Sequence, residues 1–368
     1  MSKVLIVFNH PAPYKVKLFN ELSKYIDLTV IFERDSASDR NKQFYDEKSY
    51  EFKTVKIKGF KLGRENIISS GVKNHLKHNK YDLVIMNGYS QFAEMTAINY
   101  LIKHKIPYTL YINGGLIRKK ESNFRRSLKK KYVSNASYYL SPDENSNKFL
   151  EFYGANSSKI FNYPYSTIYA NQVLPHIYTK QEKTEMRINA SINEEKVFIS
   201  CGQLIKRKNY FELVQKWQTM NPNYGLYIIG DGKQRSKLQK YIDDNRIKNV
   251  HLLGYLSRND IFSFYHLSDV FVFPSDEDIY GHVINEAMSQ GLPVISTPNV
   301  NASKKLIVNG HNGYIVPAID SRAFDESVEK VLKEDLSKNA IATAYENTIE
   351  KMVQAHLDIF KRILAKWI

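Results

Sequence analysis

The chain has 368 residues, about twice the usual ~100–200 of one domain, so two domains are expected. A hydrophobic fraction of 43% supports packed cores, and the single cysteine, Cys201, excludes an internal disulfide and suits a reducing compartment. The net charge of +15 is uneven: residues 1–168 carry 28 basic and 15 acidic side chains, which points to an anionic partner for the first half.

The opening "MSKVLIVFNHPAPYK" has an apolar run too short for a signal segment, and no later stretch approaches the ~20 apolar residues of a membrane span. A soluble cytoplasmic chain is expected. In the first half, apolar runs without alternation occur at 3–8, 28–32, 82–87, 108–113 and 137–141, separated by helical stretches. Such runs read as parallel strands buried on both faces. His10 follows the first strand, and "HPAPYK" turns toward Tyr14. "YINGG" ends another strand at Asn113 and Gly114. His10, Tyr14, Asn113 and Gly114 thus stand in turns after strands, where open α/β sheets place ligands.

"RKKESNFRRSLKKKY" (118–132) holds eight basic residues and one acid. Phe124, Leu128 and Tyr132 fall at helical spacing among them. A basic helix with an apolar line suits an anionic membrane surface. Arg118, Lys119, Arg125, Arg126, Lys129 and Lys130 are the candidate contacts, so peripheral attachment to the inner face of the cell membrane is expected.

The pattern lapses after "IFNYPYS", which sets a first domain at 1–168 and a linker at 169–195. A second run of strands follows at 196–202, 224–232, 249–254, 269–275, 292–297 and 313–317, so a second domain spans 196–346. Two runs of alternating strand and helix mean two doubly wound α/β domains. The last helix, 347–368, has an apolar stripe through Ile349, Val353, Leu357, Phe360, Leu364 and Trp367, and caps the second domain or crosses back onto the first. Cys201, in the apolar run "VFISCG", reads as a buried bystander.

"SCGQLIKRKNYFELVQKW" (200–217) is a strand, a glycine turn and a helix, with Lys206, Arg207 and Lys208 crowding the turn. At a strand's carboxyl end such cations suit a diphosphate leaving group. "DEDIYGHVINEAMSQGLPVIS" (276–296) runs from a turn into a helix that starts near Gly281 and stops at Gly291. The N–H groups at His282 and Val283, with the helix dipole, attract an anion, and Gly281 leaves room for close approach. Asp278 before the helix and Glu286 within it suit sugar hydroxyls on either side of that anion. "Asp276-x-Asp278" also has the form of a metal-diphosphate motif, but the helix that follows explains Asp278 better. No metal is expected.

Asp278-x7-Glu286 followed by "AMSQGLPVIS" resembles the E-x7-E motif of retaining glycosyltransferases of family 4, which have the GT-B fold of two Rossmann-like domains facing across a cleft. The close "EDIYGHVINEAM" match is to bacterial polysaccharide transferases. The resemblance spans about 197–317. It implies that Asp278 holds the donor sugar, Glu286 the ribose, Lys208 a phosphate, and the backbone at Leu253 and Gly254 the base. Gln203 stands where the family carries a phosphate-binding arginine; Gln203 itself, Lys206 or Arg207 would have to compensate. Asn113 stands where many relatives carry a histidine that contacts the donor sugar, and the resemblance implies that the first domain takes the acceptor, so His10, Tyr14, Asn113 and Gly114 are the candidate acceptor or sugar contacts.

The resemblance implies a retaining, metal-independent glycosyltransferase without a cofactor. Its co-substrate is a nucleotide diphosphate sugar, with UDP the first choice of base. A glycan or lipid-linked acceptor of bacterial surface polysaccharide completes the expected partners, and no nucleic acid is among them. The alternative is a non-catalytic GT-B module that binds a sugar nucleotide or a partner transferase.

Overall fold

A computed structural model describes residues 1–36, 45, 49–62, 66–115, 117 and 120–366. They form two compact units, residues 1–165 with 349–368, and residues 166–348. Strands of the first unit are β1 (Lys3–Phe8), β2 (Asp27–Phe32), β3 (Lys53–Lys56), β4 (Phe60–Leu62), β5 (Asn66–Ile68), β6 (Leu83–Met86), β7 (Thr109–Tyr111), β8 (Tyr138–Ser141) and β9 (Ile160–Asn162). Seven make one parallel sheet in the order β3-β2-β1-β6-β7-β8-β9. β4 and β5 form a separate antiparallel hairpin. The helices are α1 (Pro13–Ser23), α2 (Gly71–His78), α3 (Phe92–Lys103), α4 (Asn123–Ser134) and α5 (Glu144–Phe152).

The second unit begins with α6 (Lys180–Asn189), then alternates β10 (Lys196–Cys201), α7 (Tyr210–Trp217), β11 (Tyr224–Ile229), α8 (Arg235–Asp244), β12 (Val250–Gly254), α9 (Arg258–Leu267), β13 (Val270–Phe273), α10 (His282–Ser289), β14 (Val294–Ser296), α11 (Asn301–Leu306), β15 (Gly313–Ile315), α12 (Arg322–Lys333) and α13 (Ser337–Tyr345). Its parallel sheet runs β12-β11-β10-β13-β14-β15. In both sheets the central strands are apolar on both faces because helices cover both sides.

The stretch 169–195, expected as a linker, belongs to the second unit. Arg187 of α6 donates to the carbonyl of Leu267 at 2.8 Å and pairs with Asp269 at 2.7 Å, and Leu174 N–H donates to Ser289 O at 2.8 Å. A lack of strand pattern concealed these anchors, which are single polar side chains and backbone groups. β3 and β9 also escaped the sequence reading. β3 is a largely exposed edge strand with lysines at both ends, and β9 has only three residues.

The final helix, α14 (Ile349–Leu364), falls in the first unit and packs on α1. Its buried face is Ile349, Met352, Val353, His356, Ile359, Phe360 and Ile363, so Ile349, Val353 and Phe360 of the expected stripe are buried while the stripe as a whole is rotated; Leu357 and Leu364 are half-buried. Trp367 lies outside the described residues. The rotation follows from His356, which is buried against the rings of Tyr111 and Tyr163. Lys15 of α1 is buried in the same place. It donates to Tyr111 Oη at 2.6 Å and lies 4.3 and 4.4 Å from the ring centroids of Tyr111 and Tyr165. Burial holds the Lys15 ammonium well below the usual lysine range and pushes His356 down to about 3.

Gly230, after β11, has φ +133°, and a Cβ there would lie 1.9 Å from the Gly202 carbonyl oxygen after β10. That contact lets adjacent strands end close together at the carboxyl edge. Gly230→Ala is expected to destabilise the second unit by about 3 kcal/mol, from backbone strain and overpacking together. Urea unfolding followed by far-UV circular dichroism measures the loss; an unchanged midpoint would refute it.

Candidate functional site

The order of the second sheet decides where a site forms. The chain runs from β10 outward to β11 and β12, then returns to the other side of β10 as β13. The loops after β10 and β13 therefore part at the carboxyl edge, the usual ligand crevice of open α/β sheets. The β10 loop carries Gln203 and Lys206–Lys208. The β13 loop carries Asp276–Asp278 and leads into α10.

The two loops are laced together. Asp276 N–H and the Ser275 hydroxyl both donate to Arg207 O, at 2.9 and 3.2 Å, and Arg207 Nη1 donates to Glu277 O at 2.9 Å. Asn209, in the left-handed region at φ 55°, donates to Asp276 Oδ1 at 3.1 Å. The Arg207 guanidinium thus gives one of its five N–H donors to the facing loop, and both Arg207 and Lys206 are exposed. Burial, with the charge of Glu212, raises the Asp276 carboxyl.

Lys208 is the exception in its basic cluster. Its side chain is buried, its ammonium bonds Asp278 Oδ2, and it lies 4.7 Å from the Phe273 ring centroid. Asp278 is braced from behind, its N–H donating to Asn299 O at 3.3 Å in a short parallel bridge. Ala302 N–H donates to Tyr280 O at 2.7 Å and Asn301 Nδ2 to Ile279 O at 2.9 Å. Gly281 then opens α10 at φ +96°, where a Cβ would meet Val300 Cγ1 at 2.6 Å. His282 packs beside the Tyr280 ring, and Val283 completes the first turn. The free end of a helix dipole thus stands next to the Lys208–Asp278 pair.

Glu286 lies one turn further along α10. Its Oε1 accepts from Thr167 Oγ1 at 2.7 Å and lies 3.7 Å from Arg258 Nη1. Neither partner was legible in the sequence, since Thr167 sits just before the supposed linker and Arg258 opens α9. Leu253 and Gly254 end β12, three strands from β13, or about 14 Å along the edge at usual strand spacing. Arg235 crowds Gly254 and donates to Leu252 O at 3.4 Å. Gln203 lies between, in the turn after β10. Cys201 is buried, which pushes its thiol up to about 12.

In the first unit the equivalent parting of the sheet lies between β1 and β6. His10 follows β1; its Nδ1 lies 3.2 Å from Tyr45 Oη. Asn113 follows β7 and donates to Asn87 Oδ1 at 2.9 Å, and Gly114 has φ +144°. Tyr14 meets the Tyr165 ring edge-on at 5.9 Å. A group not foreseen lies at the same edge. Glu33 after β2 and Glu94 of α3 are both buried, and the Glu33 carboxyl meets little beyond the backbone at Glu94. Burial raises both carboxyls, with the charge of Glu94 adding to the shift of Glu33 and Arg34 opposing it.

On α4, Leu128 and Tyr132 pack against the core of the first unit, so the expected apolar line is mostly internal. Only Phe124 stands out, 77% exposed. Lys129 is also withdrawn from the surface set. It pairs with Glu121 at 2.6 Å and lies 4.8 Å over the Tyr153 ring. Arg125 and Lys130 are exposed, and Arg126 lies 5.0 Å over Phe152. Arg118 and Lys119 lie outside the described residues. No helix among the described residues is long and apolar enough to cross a membrane.

Residues 181–348 match the family model described as glycosyl transferases group 1. The chain is similar to the capsular polysaccharide biosynthesis glycosyltransferase CapM of Staphylococcus aureus, 30% identical over 43% of this chain and 42% of CapM. It is also similar to the UDP-Gal:alpha-D-GlcNAc-diphosphoundecaprenol alpha-1,3-galactosyltransferase of Escherichia coli, 36% identical over 37% of this chain and 36% of that protein. The matches thus span under half the length of these curated relatives. Among solved structures, Anabaena Alr3699/HepE in complex with UDP superposes with a TM-score of 0.79 at 16% identity, covering 98% of this chain and all of that one. The lipopolysaccharide outer core galactosyltransferase WaaB gives 0.72 at 16%, covering 98% and 99%. The fold is GT-B, two Rossmann-like units each built on a parallel sheet.

A carboxyl held protonated in the fold but ionised in the unfolded chain costs stability as pH rises above about 4.3, by up to about 1.4 kcal/mol per pH unit. Glu33→Gln is therefore expected to raise the melting temperature more at pH 8 than at pH 5. Thermal unfolding at both pH values measures this. An equal gain, or none, would contradict the protonated state.

Proposed function

We propose that this chain, whose second unit matches glycosyl transferases group 1, moves a sugar from a nucleoside diphosphate sugar to a glycan or lipid-linked acceptor, with retention at the anomeric carbon. The observation that carries this is the buried Lys208–Asp278 pair set against the start of α10, with Glu286 one turn beyond. The diphosphate lies at the helix start, where N–H groups and Lys208 take its charge. Asp278 accepts from sugar hydroxyls and Glu286 from the ribose. Gln203 adds a neutral donor where relatives of the motif carry an arginine. UDP is the proposed base carrier, held near Leu253 and Gly254.

The acceptor hydroxyl attacks on the face from which the diphosphate departs. Its oxygen bonds the anomeric carbon, the carbon–phosphate-oxygen bond breaks, and the hydroxyl proton passes to the leaving phosphate. Charge build-up on that phosphate is what Lys208 and the helix start stabilise. No metal is required in this scheme. The first unit, with His10, Tyr14, Asn113 and Gly114, is the proposed acceptor side. The names of the similar proteins, which include capsular polysaccharide synthesis and a diphosphoundecaprenol-linked acceptor, support a bacterial surface-polysaccharide substrate.

The test is a panel of UDP-, GDP-, dTDP- and CMP-sugars with EDTA present, read by thermal shift and nucleotide release. One donor is expected to give both signals. Lys208→Met and Asp278→Ala are expected to lower kcat/KM by about 10²–10³, the loss typical of one transition-state donor. Binding without release, even with membrane lipid extract added, would favour a non-catalytic sugar-nucleotide module instead.

The exposed cations Arg125, Arg126 and Lys130, with Phe124, form the proposed contact with the anionic inner membrane face. Reversing the three to Glu is expected to release the protein from anionic vesicles at 0.1 M salt while leaving its melting temperature within about 1 °C, since none is in a core ion pair. Lys129 is left intact because it holds Glu121. Undiminished vesicle binding would remove the membrane from this reading.

A further inference from the structure

Glu286 has an asymmetric environment. Both of its neighbours converge on one oxygen, Oε1: Thr167 Oγ1 donates at 2.7 Å and Arg258 Nη1 stands 3.7 Å away. No described residue bonds Oε2. The two neighbours are also joined to each other, since Arg258 Nη2 donates to Thr167 O at 3.0 Å. The guanidinium in turn lies 5.2 Å over the Phe262 ring, one turn along α9. Ser257 caps that helix by accepting from Asp260 N–H at 3.3 Å, so the position of Arg258 is set by rigid structure. Next to Glu286, Asn285 donates to Ser166 Oγ at 3.2 Å and to Asn347 O at 2.7 Å, which anchors α10 against the segment that carries Thr167.

We infer that Thr167 and Arg258 are positioning residues that lock Glu286 through Oε1, so that Oε2 discriminates ribonucleotide donors from 2′-deoxyribonucleotide donors. This rests on the donor-site reading above and extends it to donor choice. A carboxylate with one oxygen engaged has lost rotation about its terminal bond. Its second oxygen then offers lone pairs in fixed directions, which suit the adjacent 2′- and 3′-hydroxyls of a ribose. A 2′-deoxyribose supplies one donor fewer and leaves a partly buried charge under-bonded. Sites built to hydrogen-bond a hydroxyl reject analogues that lack it for this reason. Glu286 retains 18% side-chain exposure, so water replaces part of the missing bond and moderates the discrimination. The chain should therefore accept UDP- or GDP-linked sugars and disfavour deoxythymidine diphosphate sugars.

Without the lock the carboxylate still binds a ribose hydroxyl but turns freely to follow whichever hydroxyl is present. Loss of the lock should then cost selectivity more than affinity for the deoxy ligand. General loosening of the fold would instead weaken both ligands alike.

The experiment compares UDP with 2′-deoxy-UDP by isothermal titration calorimetry, with GDP and 2′-deoxy-GDP as a second pair. The wild-type chain is expected to prefer the ribonucleotide by more than about tenfold. Thr167→Val and Arg258→Met are each expected to reduce the preference below about threefold, by weakening UDP while leaving 2′-deoxy-UDP nearly unchanged. Thr167→Ser, which keeps the hydroxyl, should keep the preference. Equal weakening of both ligands, or an intact preference in both variants, overturns the inference. If Glu286→Gln abolishes the preference while the Thr167 and Arg258 variants keep it, the donor site stands and only the lock falls. If the wild-type chain binds neither pair, the donor-site reading falls and the lock with it.

Discussion

A lysine and an aspartate 70 residues apart share one hydrogen bond at the carboxyl edge of the second sheet, and the site depends on that contact. Both side chains are largely buried, at 8% and 16% exposure, so each has given up most of its hydration. A buried pair recovers that cost only with good geometry and further bonds. The surroundings supply both. Arg207, Asn209 and Asp276 lace the two loops together, and the backbone at Asn299 holds Asp278 in place. The pair is assembled by strand order: β10 and β13 are neighbours in the sheet although two strands separate them in sequence.

Each of these charges has its place before any ligand arrives. An ammonium with three donors can keep its carboxylate and still donate to another anionic oxygen. α10 begins three residues after Asp278, at Gly281, whose φ of +96° is one that L side chains rarely adopt. Such preorganised charge needs less reorganisation than water does around an anion. Glu286 follows the same logic, with Thr167 and Arg258 fixing its orientation from outside α10.

The first unit uses buried polar groups differently. Lys15 is surrounded by aromatic rings, with Tyr111 as its hydrogen-bond partner, and His356 arrives from the end of the chain to share that partner. This ties α14 to α1 and β7 through one polar point within an apolar interface. Glu33 and Glu94 are instead two buried carboxyls whose burial favours the neutral form, with the charge of Glu94 adding to the shift of Glu33.

The sequence by itself determined the fold class and pointed to the residues that gather at the carboxyl edge of the second sheet. Unbroken apolar strands between helices read directly as parallel sheets, because burial on both faces leaves no alternation. Lys208, Asp278, Gly281 and Glu286 were legible because each lies in a short turn between a strand and a helix, where local spacing and helix-end chemistry suffice. Tertiary structure decided how the three neighbouring cations are directed. Lys206, Arg207 and Lys208 are equivalent in composition, and only the facing loop directs Arg207 outward and Lys208 inward. It also decided that Thr167 and Arg258 meet Glu286, that Lys129 turns to Glu121, and that His356 joins the buried stripe of α14. These contacts join residues from 8 to more than 240 positions apart. Most lie far beyond the local spacing that a pattern in sequence records, and side-chain direction fixes them all.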